Sequence, residues 1–400
     1  MGGTGKQHSG WEIFGIFLRL GLTSFGGPIA HLGYFRDEFV VRRQWVDEHA
    51  YAGLVGLCQF LPGPASSQVG FALGLSRRGL AGGLAAWLGF TLPSAVLLFA
   101  FATLSAAFTG AAADAAIHGL KIVAVAVVAQ ALWGMARSLT PDLQRIAIAA
   151  AAALTVSLLA GSFGQIAAIA LGAAAGLILC RGIALPRRGS LSFTISRPVA
   201  MAALGAFFLI LLAGPLLALL LRSHTLAVFN AFYRSGALVF GGGHVVLPLL
   251  SDALVRPGLI SPASFLAGYG AAQAVPGPLF TVSAYLGTML NGPPNGALGA
   301  AIALVAIFLP GMLIMTGTLP FWEGLRSRPG LQAAMRGINA SVVGILATAL
   351  YTPLWTSAID GVRDMALAVA GFVLLTLAKL PPWLVVAGTV AASIALAQMR

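Results

Sequence analysis

Charged residues are scarce in this chain of 400 residues, since Asp, Glu, Lys and Arg together make up only 8% of it. Soluble domains carry about 25% of these residues, so the composition excludes an ordinary soluble fold. Hydrophobic residues account for 58%, and many apolar runs reach the roughly 20 residues that a membrane-spanning helix needs. The sequence therefore predicts an all-α polytopic membrane protein.

Cysteine is scarce too, and the two cysteines, Cys58 and Cys180, show neither a disulfide framework nor metal-ligand spacing. The 23 basic residues outnumber the 11 acids, but they fall in pairs and triplets between apolar blocks, as the positive-inside rule predicts. Met1 to Gly10 lack the features of a cleaved signal peptide. We therefore expect no cofactor, no metal site and no nucleic-acid partner.

Apolar blocks predict about 13 transmembrane helices. They fall at 11–30, 48–75, 79–108, 114–138, 141–160, 162–181, 198–222, 224–243, 261–290, 295–320, 331–352, 362–379 and 381–399. If the first seven all cross, the second half begins on the opposite face of the membrane, as in an inverted-topology repeat. The basic residues then predict a cytoplasmic N-terminus and an outside C-terminus.

This alternation assigns a face to each basic loop. It places Arg77 and Arg256 on the cytoplasmic face, and Arg42 and Arg222 on the outer face. Whether the blocks at 48–75 and 261–290 span the membrane or re-enter it is left open, and a re-entrant 48–75 alone would reverse the order.

Two copies of one pattern occupy the two halves of the chain. Phe17-Leu-Arg19-Leu-Gly21 with Phe25-Gly26-Gly27 recurs as Phe232-Tyr-Arg234-Ser-Gly236 with Phe240-Gly241-Gly242. Gln59 with Pro62-Gly63-Pro64 recurs as Gln273 with Pro276-Gly277-Pro278. Matched motifs in the same order indicate a tandem duplication. We predict a first repeat at 1–181, a basic cytoplasmic linker at 182–197, a connecting transmembrane helix at 198–222 and a second repeat at 223–400.

Arg19 and Arg234 each lie inside an apolar block. At 1.5 Å per residue, they lie roughly 12 and 15 Å inside Trp11 and His224, and half the hydrocarbon thickness is about 15 Å. A guanidinium at that depth costs a few kcal/mol and usually marks a ligand site, although snorkelling to the interface is the alternative. One guanidinium per half suits a tetrahedral dianion.

Pro-Gly-Pro predicts a broken helix in each half, because proline lacks the N–H donor of a helix interior. Such backbone is tolerated at membrane depth where it is buried in protein or lines a polar cavity. The helix that restarts after each break attracts anions at its N-terminus, although a packing kink without a ligand is the alternative. The glycine pairs allow the backbone to approach an anion closely. The predicted substrate-binding residues are Arg19, Arg234, Gly26, Gly27, Gly241, Gly242, Gln59, Gln273, Pro62, Gly63, Pro64, Ser66, Ser67, Pro276, Gly277, Pro278 and Thr281.

Carboxylates are rare within the blocks, and Asp252, Asp360 and Asp364 all fall near block ends. A proton or sodium relay normally needs a carboxylate or a histidine at membrane depth. His244 lies next to a glycine motif and is the predicted proton-coupling residue, with a structural role as the alternative.

The paired Phe-x-Arg-x-Gly…Phe-Gly-Gly and Pro-Gly-Pro motifs resemble the chromate ion transporter family in its long two-domain form, over nearly the whole chain. The resemblance implies export of chromate, an oxyanion shaped like sulfate, across the bacterial plasma membrane, and hence chromate resistance. The second copy departs from the first at Gly243-His244, where the first has Pro28-Ile29, and it lacks the Arg42-Arg43-Gln-Trp45 signature.

We therefore expect a secondary transporter, not an enzyme, that works by alternating access between its repeats. Its expected partners are chromate, sulfate as a competitor or substrate, and the lipid bilayer, with a homodimer left open. A sulfate or other oxyanion importer or exchanger of the same architecture is the first alternative. A membrane-embedded enzyme acting on lipid phosphates is a remote one, since no cluster of metal ligands or nucleophile is evident. The coupling ion is left open.

Overall fold

The computed structural model describes residues 9–25, 27–105, 110–159, 162–181, 195–240, 243–322 and 328–398. Within these ranges the chain is helical and has no strand, which confirms the all-α fold class. Five helices are long and apolar enough to cross a membrane, and shorter apolar helices surround them. Most of the predicted linker at 182–197 lies outside the described residues.

The helices of the first half are α1 (Gly10–Thr23), α2 (Gly27–Arg36), α3 (Glu48–Phe60), α4 (Ala65–Ser105), α5 (Ala111–Leu139), α6 (Leu143–Leu158) and α7 (Ser162–Leu179). The connecting helix is α8 (Arg197–Leu220). The helices of the second half are α9 (His224–Ala237), α10 (Val246–Leu250), α11 (Pro262–Ala272), α12 (Val282–Thr288), α13 (Gly296–Thr318), α14 (Pro329–Ala349), α15 (Val362–Thr376) and α16 (Pro382–Gln398).

Helix α4 is two helices that fold back on each other. Gly79 has φ 56° and ψ −151°, outside the helical region, so the chain reverses there. The two legs pack so closely that a Cβ on Gly74 would lie 2.3 Å from the carbonyl oxygen of Gly82. Helices α12 and α13 repeat this contact, since a Cβ on Gly287 would lie 2.3 Å from the carbonyl oxygen of Gly299. Only glycine allows this approach of two helix backbones.

The segment 48–77 is a re-entrant hairpin with its Pro-Gly-Pro motif at the tip. At its base, the Arg36 guanidinium binds the Glu48 carboxylate at 2.8 Å, and Arg77 stacks on the Trp45 ring and donates to the Trp45 carbonyl. Both ends of the hairpin therefore lie at the same end of the bundle.

The second repeat forms a re-entrant hairpin in the same way. Its base is closed by Asn291, whose backbone N–H donates to the Leu259 carbonyl at 2.8 Å and whose side-chain amide donates to the Gly258 carbonyl at 2.9 Å. The segments at 48–77 and 261–291 therefore both enter the protein and return, which resolves what the sequence left open.

The predicted assignment of basic residues to faces is wrong at two points. The segment containing Arg42 and Trp45 lies beside Arg77 rather than across the bundle from it, and Arg222 lines the same cavity as Arg256. The physical reason is that α1 and α9 are short helices, and the segment after each one turns back. The blocks at 11–30 and 224–243 therefore do not cross the membrane.

The outer hairpins are exchanged between the repeats. The α6–α7 hairpin packs on α14, where Gly337 meets Gly172 and Gly176, and the α15–α16 hairpin packs on α5, where Gly119 meets Val390. The α6–α7 hairpin begins and ends on the same side of the membrane. The crossings between the two re-entrant segments are therefore made by the second leg of α4, by α5 and by α8, which is an odd number. An odd number gives the two repeats opposite orientations.

Candidate substrate pathway between the repeats

The tip of each re-entrant hairpin binds the backbone of the other repeat. The Gly63 N–H donates to the Val239 carbonyl at 2.8 Å, and the Gly277 N–H donates to the Ser24 carbonyl at 2.9 Å. Both glycines are left-handed, with φ of 118° and 101°, a conformation that side chains disfavour. The two Pro-Gly-Pro motifs therefore lie at matched positions on the interface between the repeats.

Each tip also packs against a proline-containing helix of the other repeat. A Cβ on Gly63 would lie 3.1 Å from the Cα of Gly311, which follows Pro310 in α13. A Cβ on Gly277 would lie 2.8 Å from the Ser94 hydroxyl oxygen, which follows Pro93 in α4. The contacts are reciprocal, as an approximate two-fold axis requires.

The glycine motifs approach each other near this axis. A Cβ on Gly243 would lie 3.2 Å from the ring of Pro28, and these two residues occupy the same place in the two copies. Gly27 has φ 78° and begins α2. The predicted site residues Gly26, Gly241 and Gly242 lie outside the described residues.

The polar residues that follow the tips are buried. Helix α4 restarts at Ala65, as predicted, with Ser66 and Ser67 in its first turn. The hydroxyl of Ser67 has no hydrogen-bond partner, and that of Ser66 lies 3.4 Å from a ring nitrogen of His31. In the second copy the chain restarts as a 3₁₀ turn, and the Thr281 hydroxyl donates to the Pro278 carbonyl at 2.7 Å.

The two predicted glutamines differ in their surroundings. Gln59 is exposed, whereas the side-chain nitrogen of Gln273 is buried with no hydrogen-bond partner. A further glutamine, Gln68, donates from its side chain to the Pro62 carbonyl at 2.8 Å and the Gly311 carbonyl at 3.2 Å. Gln68 is not among the predicted site residues because it has no counterpart in the second copy, although its place one turn into the restarted helix was a usable signal.

Arg234 lines a cavity of about 850 Å³ between α8, α9 and residues 249–257. It is half-buried. Asn230, one helical turn earlier, also lines the cavity and is 6% exposed, and its side-chain oxygen is buried near Gly214 of α8 with no hydrogen-bond partner. At the mouth lie the exposed side chains of Arg222, His224 and Arg256. Several cations face a single carboxylate there, so the cavity suits an anion.

Arg19 is not among the residues that line this cavity, and its side chain is exposed. The reason is helix α8, which packs on α9 and α13 and forms one wall of the cavity with Pro215, Ala218 and Leu219. No described helix covers α1 in the corresponding way. The structure therefore places the two matched arginines in different surroundings and does not bring them together.

His244 and His118 have polar partners in the structure. A ring nitrogen of His244 lies 2.6 Å from the Tyr269 hydroxyl, and His244 is half-buried. The two ring nitrogens of His118 face Asp364 at 3.1 Å and Asp360 at 4.0 Å. These three side chains are close enough together to hold a metal ion, and their contacts join α5 to the start of α15.

A family model described as chromate transporter matches residues 11–177 and 226–394, which lie within the two predicted repeats and cover most of the chain. The chain belongs to the chromate transporter family.

Relatives named as chromate transport proteins extend this result. The one from Pseudomonas aeruginosa is 28% identical over 338 residues, covering 84% of this chain and 79% of that protein. The one from Cupriavidus metallidurans is 26% identical over 382 residues, covering 94% and 90%. An uncharacterised transporter of Bacillus subtilis matches only 40% of this chain but 90% of its own length, at 28% identity. No solved structure matches.

Membership in the chromate transporter family confirms the resemblance expected from the paired motifs and the function as a chromate transporter. It also agrees with a transporter rather than an enzyme. The family match leaves the roles of the site residues and the direction of transport as proposals.

Proposed function

We propose that this protein exports chromate from the cytoplasm by alternating access, with Arg234 binding the anion in the cavity between α8 and α9. The observation that carries the proposal is that Arg234 and Asn230 lie inside a cavity whose mouth holds Arg222, His224 and Arg256. A tetrahedral dianion can accept two parallel hydrogen bonds from one guanidinium, and the cations at the mouth offset its negative charge.

The re-entrant hairpins are the moving parts in this proposal. Each tip is attached to the other repeat by one backbone hydrogen bond, at Gly63 or Gly277, and by glycine packing. Rocking one repeat against the other exchanges which tip is released, and repeats of opposite orientation then open to opposite faces. Ser66, Ser67, Gln273 and Thr281 complete the anion path, as the sequence predicted.

The membrane potential is sufficient to drive this export. For a dianion, an inside-negative potential of 100 mV contributes about 4.6 kcal/mol toward the outside. We place the protein in the bacterial plasma membrane with a cytoplasmic N-terminus and an outside C-terminus, where this potential acts in the export direction.

The test is chromate uptake into inverted membrane vesicles by wild type, Arg234→Gln and Arg234→Lys, at matched protein levels. We expect Arg234→Gln to reduce uptake at least tenfold and Arg234→Lys to retain part of it, because lysine keeps the charge but loses the bidentate geometry. Arg363→Gln, at a different cavity, is the matched control and keeps normal uptake.

Two outcomes would count against this proposal. Normal uptake by Arg234→Gln would remove the anion from this cavity. Uptake only into right-side-out vesicles, or uptake of sulfate with chromate as a mere competitor, would favour an oxyanion importer instead.

A further inference from the structure

Asp252 lies between two cavities. It lines the basic cavity that contains Arg234, and it also lines a second cavity of about 660 Å³ between α6, α7 and the end of α14. Among the residues that the structure describes, it is the one shared by both linings. The second cavity presents the hydroxyl groups of Ser157, Ser251, Thr348, Tyr351 and Thr352. The carboxyl group can therefore meet water on one side while an anion occupies the other side.

The side chain of Gln165 holds this carboxylate. Its amide nitrogen lies 2.6 Å from one carboxylate oxygen of Asp252 and 3.2 Å from the Pro248 carbonyl, and Gln165 is only 3% exposed. The amide oxygen of Gln165 is buried with no partner. An amide offers both donors and an acceptor, so Gln165 can donate to the ionised carboxylate or, after turning, accept from the protonated acid.

The local backbone sets Asp252 apart from its counterpart in the first repeat. Asp252 lies in a π-helical segment, Ser251–Val255. Its counterpart Asp37 begins a similar segment, Asp37–Arg42. Asp37 follows Arg19 by the same number of residues in the sequence as Asp252 follows Arg234. Such segments often occur at functional sites. The Asp37 side chain is 71% exposed and faces Arg36, so only the second repeat has this carboxylate between cavities.

Charged groups from several elements line the two cavities around Asp252 in the described part of the chain. Arg256 lies on its own segment, His224 and Arg234 on α9, and Arg222 at the end of α8. Apart from Asp252 itself, Tyr351 is the titratable side chain among the described residues that line the second cavity. Burial of Asp252 opposes its ionisation, and Arg256 favours it. A dianion bound in the basic cavity shifts this balance toward the protonated acid.

We propose that Asp252 is the proton-binding residue that responds to the transported anion. The proposal rests on the proposed anion site at Arg234. When a dianion enters the basic cavity, the Asp252 carboxylate takes a proton from water in the hydroxyl-lined cavity, and Gln165 turns to accept from the new O–H. When the anion leaves, the carboxyl returns the proton to water. One proton is bound for each anion, and no other group changes.

The sign of this coupling follows from linkage. Because anion binding favours protonation of Asp252, protonation favours anion binding by the same factor. Chromate therefore binds more tightly as the pH falls through the titration of Asp252.

The experiment measures protons and chromate binding together on the purified full-length protein in detergent. Chromate is added in weakly buffered solution at mildly alkaline pH, where it is a dianion, and a pH indicator reports net proton uptake. We expect up to one proton per bound chromate in wild type, none in Asp252→Asn, and retained uptake in Asp252→Glu. Asp252→Asn should bind chromate several-fold more tightly than wild type at high pH, with no pH dependence.

Asp37→Asn, which removes the equivalent acid of the first repeat, is the matched control and should keep proton uptake. Proton uptake that persists in Asp252→Asn overturns the assignment. A failure of the proposed anion site gives a different result. In that case Arg234→Gln does not abolish chromate binding, either in the wild-type background or together with Asp252→Asn.

Discussion

At the scale of single residues, Gly63 and Gly277 carry the contact between the repeats. Their left-handed φ values and the atoms that face them leave no room for a side chain. Sequence analysis selected both glycines as part of an anion site because Pro-Gly-Pro breaks a helix. The structure adds that their N–H groups already bind carbonyls of the other repeat.

Replacing Gly277 with alanine tests this contact. The left-handed backbone costs about 1–2 kcal/mol with a Cβ, and the new atom would lie 2.8 Å from the Ser94 hydroxyl. We expect a lower midpoint of thermal unfolding in detergent and reduced chromate transport. Gly56→Ala is the control, because Gly56 is helical with no atom near its missing Cβ. Equal stability of the two variants would contradict the tight packing of the tip.

Asn230 is a second residue whose role the structure exposes. Its side chain packs against Gly214 of α8, and its oxygen has no hydrogen-bond partner. We expect Asn230→Asp to weaken chromate binding at least tenfold, because it adds a negative charge beside Arg234, and Asn230→Ser to be milder. Isothermal titration of chromate into purified protein measures both. Tighter binding by Asn230→Asp would exclude an anion from this cavity.

At the scale of elements, glycine determines how the hairpins pack. Gly337 in α14 lies so close to α7 that a Cβ would meet the Gly172 carbonyl oxygen at 1.9 Å. Gly119 in α5 faces α16 in the same manner, with a Cβ 2.8 Å from the Cα of Val390. Gly119 and Gly337 occupy matched positions in the two repeats, and their common role as helix contacts is visible only in the structure.

The α7–α14 contact can be tested with Gly337→Ala. Overpacking in a tight core costs typically about 1–3 kcal/mol, and here the backbone itself obstructs the new methyl group. We expect a clear loss of monodisperse protein on size-exclusion chromatography after heating. Gly134→Ala, in α5 with open space at its Cβ, should behave as wild type. An unaffected Gly337→Ala would mean that α7 is not held against α14.

At the scale of the whole molecule, the two re-entrant hairpins begin at opposite faces. His49 and Ala263 occupy matched, exposed positions at the starts of α3 and α11. We expect His49→Cys and Ala263→Cys to react with an impermeant thiol reagent from opposite sides of the membrane. Both native cysteines are buried, so the unmodified protein gives little background. Labelling of both variants from one side would exclude opposite orientation of the repeats.

Much of this architecture follows from the sequence because duplication and apolar length leave strong signals. The halves, the helix breaks at Pro62 and Pro276, and the membrane class are visible without coordinates. The folding back of the first block in each half is not, because hydropathy does not distinguish a crossing helix from one that turns back at a glycine pair. The asymmetry between Arg19 and Arg234 was also hidden, since it depends on where α8 packs.

The exchange of outer hairpins has a consequence for how this chain can be divided. Each half supplies the hairpin that covers the long helix of the other, so an isolated half would expose the glycine-lined faces of α5 or α14 to lipid. Two separately synthesised halves, cut between α7 and α8, would still contain every surface needed to find each other. We expect the covalent connection to be dispensable for assembly, although neither half is complete alone. Helix α8 must stay with the second half because it forms one wall of the cavity that contains Arg234.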